Sequence, residues 1–259
     1  MHGGTYLSFR IKGNVKIMEK EIQKGLSAVA GKEHPLSMVI NEAIKVFTDL
    51  GFEVAVGPEI EDVWHNFDAL NMPKDHTARD MQDTFYIKGK EGEVLRTHTS
   101  NVQIRYMENF AKSGLKPPFA VISVGKCFRN EATDATHEMQ FYQIEGLMIG
   151  ENISMANLKG VLSHFYKKIL GRDTNLRFRP SFFPFVEPAI EFDLTYKDKL
   201  IEMGGAGMVH PKVLENCGID STKYQGFAFG PGLERLMVIK YVMPDIRPAY
   251  QGDLRFNQF

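Results

Sequence analysis

From His34 onward the chain changes periodicity repeatedly, and each change predicts an element. Leu36, Val39, Ile40, Ala43, Phe47 and Leu50 recur at helical spacing. Pro35 suits the first turn of that helix and Gly51 its C-terminal cap. Phe52, Val54 and Val56 then alternate as a strand that Gly57-Pro58 ends. Ile60, Val63, Trp64, Phe67 and Leu70 return to a helical stripe, with Trp64 read as packing. The stretch NMPKDHTARDMQD is too charged and irregular for a buried element. Thr84 to Ile87 and Glu93 to Thr97 read as strands joined by KGKEG into a hairpin. Ser100 with Gln103 three residues on reads as a capping box, opening a helix through Val102, Tyr106, Met107 and Phe110.

Residues 119–149 read as two long strands joined by a polar loop. On the first, Ile122, Val124 and Phe128 share one face, and Ser123, Gly125, Cys127, Arg129 and Glu131 the other. On the second, Tyr142, Ile144 and Met148 oppose Phe141, Gln143 and Glu145. Met155, Leu158, Val161, Leu162, Phe165 and Ile169 then form a helical stripe. Further strands are expected at Ile190–Leu194 and near Leu200 to Glu202. A glycine-rich run from Gly226 to Gly232 leads into a helix carrying Leu233, Leu236, Met237 and Ile239. Strands that do not alternate strictly with helices predict an α+β fold, a mainly antiparallel β-sheet flanked by helices. One domain from His34 to the end is the simplest organisation. Before it, Met18 to Leu26 could form only a short, weakly determined helix.

Composition narrows the classes. With 259 residues, 43% hydrophobic and 24% charged, the chain has the make-up of a globular domain and not of a disordered one. Every apolar run is broken well short of the ~20 residues a bilayer needs, so no membrane span is expected. The N-terminus has no apolar signal-peptide core. Its two cysteines, Cys127 and Cys217, lack CxxC spacing, which favours a reducing, cytoplasmic setting over a disulfide framework or zinc site. A net charge of -1 gives no basic footprint for nucleic acid.

Three segments carry candidate chemistry. VGKCFRNEATDATHEMQFYQIEGL, residues 124–147, puts its charged strand positions on one sheet face. Such a face is costly to bury unless a ligand or partner meets it; the competing reading is a solvated face with internal pairs such as Arg129 with Glu145. GFAFGPGLERL, residues 226–236, runs from a small-residue strand through a Gly-Pro-Gly turn to a helix bearing Glu234 and Arg235. Glycine admits close approach of a ligand and arginine can clamp phosphate, although the spacing is that of neither a Walker loop nor a dinucleotide fingerprint. GFEVAVGPEIE, residues 51–61, is by itself only a helix–strand unit ending in proline.

In this order the three segments resemble the signature motifs of class II aminoacyl-tRNA synthetases, with Pro58, the 125–145 strand–loop–strand and Arg235 as their landmarks. HPL at 34, NFDALN at 66, ARDMQDTFY at 78, RTHTSNVQIR at 96, DATH at 134, FRPSFFPF at 178, GMVHPKVL at 207, GFAFG at 226 and DLRFNQF at 253 sharpen the likeness. They resemble the bacterial phenylalanyl-tRNA synthetase alpha-subunit family. The resemblance implies a catalytic domain over residues 34–259 preceded by a poorly patterned segment, 1–33, without the family's usual coiled-coil arm. Strong tRNA binding by this chain alone is therefore not expected.

It implies activation of L-phenylalanine by ATP with Mg²⁺, transfer to tRNA(Phe), and a beta-subunit partner in an assembly of two alpha and two beta chains. Arg129 matches the arginine on the α-phosphate, Glu131 the reader of the adenine amino group, and Phe141 its stacking ring. His137 and Arg235 match positions near the outer phosphates, and Glu187 a magnesium-holding carboxylate. The amino-acid pocket would include His98 and Ser100, with Gln143 and Glu145 receiving the ammonium and orienting the substrate, Phe183 and Phe185 meeting its ring, and Ala228 forming the floor. Apart from the resemblance, His34, His98 and His210 read as core or capping histidines. Asn101 departs from the family, which usually carries proline there. The resemblance also leaves room for a silent or tRNA-sensing paralogue, or a relative that adenylates an amino acid for another acceptor.

Overall fold

Helix α1, Pro35–Asp49, follows the stripe read from the sequence: Pro35 lies in its first turn and Gly51 just beyond it at φ 88°. Its cap is His34, whose Nδ1 accepts from the Leu36 N–H at 3.2 Å. A computed structural model describes residues 31–130, 134, 138–171, 173–196 and 199–257. The helix expected near residues 18–26 lies outside the described residues.

Strands β1 (Glu53–Ala55), β4 (Phe119–Phe128), β5 (Gln140–Gly150), β6 (Leu176–Phe183), β7 (Val186–Tyr196), β8 (Lys199–Val209) and β9 (Gln225–Pro231) form one sheet in the order β1-β4-β5-β9-β8-β7-β6. Only β1 runs parallel to its neighbour, and the rest is antiparallel as expected. Helices α1, α3 (Met155–Leu170) and α5 (Leu233–Lys240) cover one face. There Phe47 stacks on Phe165 at 4.6 Å and on Phe229 at 5.2 Å between ring centres. Burying each such ring contributes about 1.5–3 kcal/mol. A second core of Phe67, Ile104, Met107, Leu147 and Ile149 lies beneath α2 (Ser100–Lys112) and α4 (Pro211–Asn216). The face that α2 and α4 leave partly open holds the candidate site.

Two expected elements come out differently. The stripe from Ile60 to Leu70 is a short strand, β2 (Ile60–Asp62), followed by a π-helical turn at Trp64–Asp68. β2 pairs with β3 (Glu93–Leu95), which holds residues 60–62 extended, and the Asp62 carboxylate takes the His65 N–H at 2.8 Å where the helical turn begins. Phe67 and Leu70 are buried as their spacing suggested, but Trp64 is 41% exposed and donates to Glu108. The hairpin over residues 84–97 shrinks to a single bridge, Tyr86 with Val94, flanked by the Ile87 N–H on the Glu93 carbonyl and the Leu95 N–H on the Phe85 carbonyl, while the other edge of β3 pairs with β2. Strand β6 was not expected: Pro180 interrupts it, which is tolerated because β6 is the last strand of the sheet. Among the described residues no helix is long and apolar enough to cross a membrane.

Candidate active site

Strands β4 and β5 pair so that Gly125 faces Gln143 and Cys127 faces Phe141. The pairing, together with β8 and β9, backs a hollow of about 670 Å³. Ten of the residues singled out in the sequence line it: His98, Ser100, Arg129, Phe141, Gln143, Glu145, Phe183, Phe185, Ala228 and Arg235. Glu131 and His137 lie outside the described residues. Glu187 is not brought in. Its carboxylate is 78% exposed and faces His210 Nε2 at 3.7 Å, away from the hollow. Glu191 on β7 and Glu202 on β8 are among the carboxylates that do line it.

One end of the hollow is organised around Glu145. Its carboxylate accepts from the Ser100 hydroxyl at 2.6 Å and the Thr99 N–H at 3.2 Å, and the Gln143 carbonyl oxygen shares that N–H at 3.3 Å. Ser100 therefore does not cap α2, as its spacing suggested; its hydroxyl is committed across the sheet. Gln143 Nε2 donates to the Gly230 carbonyl at 3.2 Å. A Cβ on Gly230 would stand 2.8 Å from that nitrogen, so glycine is required for the approach. Burial pushes the Glu145 carboxyl up to about 7, against the pull of Ser100, Thr99 and Arg129. His98 moves the other way, down to about 3, through burial and the nearby Arg129 and Arg96 charges. It is neutral at physiological pH. Both its ring nitrogens are buried, and neither meets hydrogen-bond geometry with a described residue. His34 and His210, by contrast, cap α1 and α4. Asn101 donates to the His98 carbonyl at 3.1 Å and so fixes the turn that presents this ring.

The aromatic wall comes from the β6–β7 turn. Phe183 and Phe185 stand face to face, 5.7 Å between centres and 19° between planes. A Cβ on Gly205 would lie 2.7 Å from the Phe183 ring, so the wall leans directly on backbone. At the other end, Arg129 Nε donates to the Thr97 carbonyl at 3.2 Å and its guanidinium lies 4.8 Å from the centre of the Phe141 ring. Arg235 Nη1 donates to the Glu202 carbonyl at 2.8 Å. Arg179 gathers Glu191, Asp193 and Glu202 into one network beside it.

Sequence reasoning gave several contributors no role in the site. Gln103, 5% exposed, lines the hollow with its Nε2 unpartnered among the described residues; its capping-box position drew attention from its side chain. Glu234 is buried, accepts from the Tyr142 N–H and the Tyr250 hydroxyl, and is pushed up to about 7 by burial. Glu191 and Glu202 carried a signal in their placement on the two strands expected around them. Cys127 is buried with its thiol pushed up, consistent with a small apolar filler.

A sheet of this order, with a carboxylate-and-arginine hollow between strand–loop–strand and glycine-rich strand–helix segments, defines a class. The family model described as "tRNA synthetases class II core domain (F)" matches residues 14–259, so the chain carries a class II synthetase core. Proteins named phenylalanine--tRNA ligase alpha subunit from Bacillus cytotoxicus, Bacillus cereus and Bacillus anthracis are each 51% identical to it, over 90% of this chain and 70% of theirs. The chain belongs to the phenylalanine–tRNA ligase alpha-subunit family and is a ligase of class II.

Proposed function

We propose that the chain activates L-phenylalanine with ATP and passes the acyl group to tRNA(Phe), as the catalytic alpha subunit of an assembly of two alpha and two beta chains. One observation carries this reading: a single hollow joins a buried carboxylate, a pair of phenyl rings and two arginines. Glu145, with Ser100 and Gln143 beside it, suits an ammonium; Phe183 and Phe185 suit a phenyl ring; Ala228 keeps the floor shallow and apolar. The substrate carboxylate then points toward Arg129. Adenylation is in-line attack by that carboxylate on the α-phosphorus. A P–O bond forms to the acyl oxygen as the bond to the bridging oxygen breaks and pyrophosphate leaves. The chemistry needs alignment and charge stabilisation, which Arg129 and Arg235 supply at the nucleotide end. Phe141 offers the adenine a stacking face, and the resemblance adds Glu131 and His137 on the intervening loop.

The hollow's carboxylates fit magnesium in donor chemistry: Glu191 and Glu202 offer oxygen only. Glu187 stands outside this hollow. When bound with ATP, the ion neutralises phosphate charge.

Phenylalanine-dependent exchange of pyrophosphate into ATP, with and without an added beta subunit, tests the reading. Exchange with phenylalanine supports it, and dependence on the partner identifies the assembly. Absence of exchange in both conditions, with ATP still bound, overturns it in favour of a silent paralogue. A pH dependence follows from Glu145. Its raised carboxyl is protonated below about pH 7 and then loses its attraction for an ammonium. The expected kcat/KM for phenylalanine at saturating ATP falls, approaching tenfold per unit, as pH drops below about 7. In Glu145→Gln the value is low and this limb is absent; a flat wild-type profile from pH 8 to 6 refutes the assignment.

A further inference from the structure

Asn71 does not itself line the hollow, yet its backbone and side chain are both unusual. It holds φ at 57°, in the left-handed region that asparagine tolerates better than other side chains. Its Nδ2 donates at 2.8 Å to the carbonyl of Pro184, 113 residues away in sequence. Pro184 sits between Phe183 and Phe185, the stacked pair that forms the aromatic wall of the hollow. The far side of the same turn is held by the His210 N–H on the Phe185 carbonyl at 2.9 Å. The aromatic turn is thus clamped from two directions, and Asn71 is one jaw.

A jaw is useful only if it is itself fixed. The 68–72 segment is stapled by Arg79, whose Nη2 donates to the Asp68 carboxylate at 2.7 Å and to the Met72 carbonyl, with the Phe67 ring 5.0 Å beneath its guanidinium. Asn216 Nδ2 donates to the Ala69 carbonyl at 3.2 Å. Leu70 and Met72, the neighbours of Asn71, also line the hollow. One side-chain amide therefore ties the wall segment carrying Leu70 and Met72 to the wall carrying Phe183 and Phe185.

We propose that Asn71 is a positioning residue for amino-acid specificity: by tethering the Pro184 carbonyl it sets the gap between these two walls. This rests on the reading that Phe183 and Phe185 receive the substrate's ring. Two variants separate the hydrogen bond from the backbone. Asn71→Asp keeps the shape and the left-handed tolerance but presents an acceptor to a carbonyl oxygen. Asn71→Gly keeps the backbone and removes the tether.

In both, KM for phenylalanine in pyrophosphate exchange is expected to rise about tenfold, the effect of one lost buried hydrogen bond. KM for ATP and kcat should stay within about twofold, and preference for phenylalanine over leucine should fall. A merely structural role would lower the melting temperature and leave the two KM values unchanged or move them together, which overturns the proposal. Calorimetric binding of phenylalanine reads the same effect without turnover. Equal affinity in wild type and both variants overturns the role of Asn71. A wild type that binds phenylalanine but does not exchange refutes the activity reading alone, and a weakened affinity in the variants then still upholds the tether.

Discussion

Replacing Arg129 by alanine is expected to lower phenylalanine-dependent pyrophosphate exchange about 10²–10³-fold, the scale seen when one preorganised donor to developing charge is removed. The Thr97 carbonyl on one side and the Phe141 ring on the other help to aim the guanidinium. The loss should fall on kcat. A secondary effect has a definite sign. Arg129 is one of the groups that draw the Glu145 carboxyl downward, so its removal shifts the pH limb for phenylalanine toward higher pH. Arg129→Lys keeps a charge but not the planar fork and should recover little. Exchange by Arg129→Ala within threefold of wild type would remove the arginine from the reaction.

The second large effect is on stability. Arg105, on α2, forks onto Glu61, on β2: Nε to Oε1 at 2.8 Å and Nη2 to Oε2 at 2.5 Å. The Glu61 side chain has no exposed surface, whereas Arg105 is about a third exposed. That hydrogen bond is the main reason the Arg105 guanidinium is held above its ordinary pKa. Arg105→Ala leaves a carboxylate buried without its bidentate partner and is expected to cost about 3–5 kcal/mol. In a chain of this size that is on the order of 10 °C in melting temperature. Adding Glu61→Leu should restore part of it, since a charge that is no longer buried needs no partner. Urea unfolding of the single and double variants measures both; a single variant within 1 kcal/mol of wild type contradicts the buried-pair argument.

What could be read from the chain follows the range of the forces involved. Helices α1 and α3 and strands β4 and β5 were legible because their apolar positions repeat locally, and the sheet faces derived from that alternation hold. Ser100 shows where local reading fails: its spacing to Gln103 is that of a helix cap, but its hydroxyl serves Glu145, 45 residues later. β6 hid behind Pro180 and its charges, since only its place at the sheet edge makes a proline acceptable. The Ile60 to Leu70 stripe misled because a period of three to four fits a strand followed by a π turn as well as a helix. Ten of the candidate residues converge in one hollow, yet alternation alone left their face open to a salt-bridged reading. The resemblance supplied the roles. Asn71 closes the NFDALN run, but nothing local pointed to its tether, because its partner is in another segment of the chain.

The ring that the proposed chemistry offers to adenine already carries a guanidinium, that of Arg129, 4.8 Å from its centre. On that reading one phenyl ring serves both ends of the nucleotide: it would seat the base, and it steadies the cation meant for the phosphates.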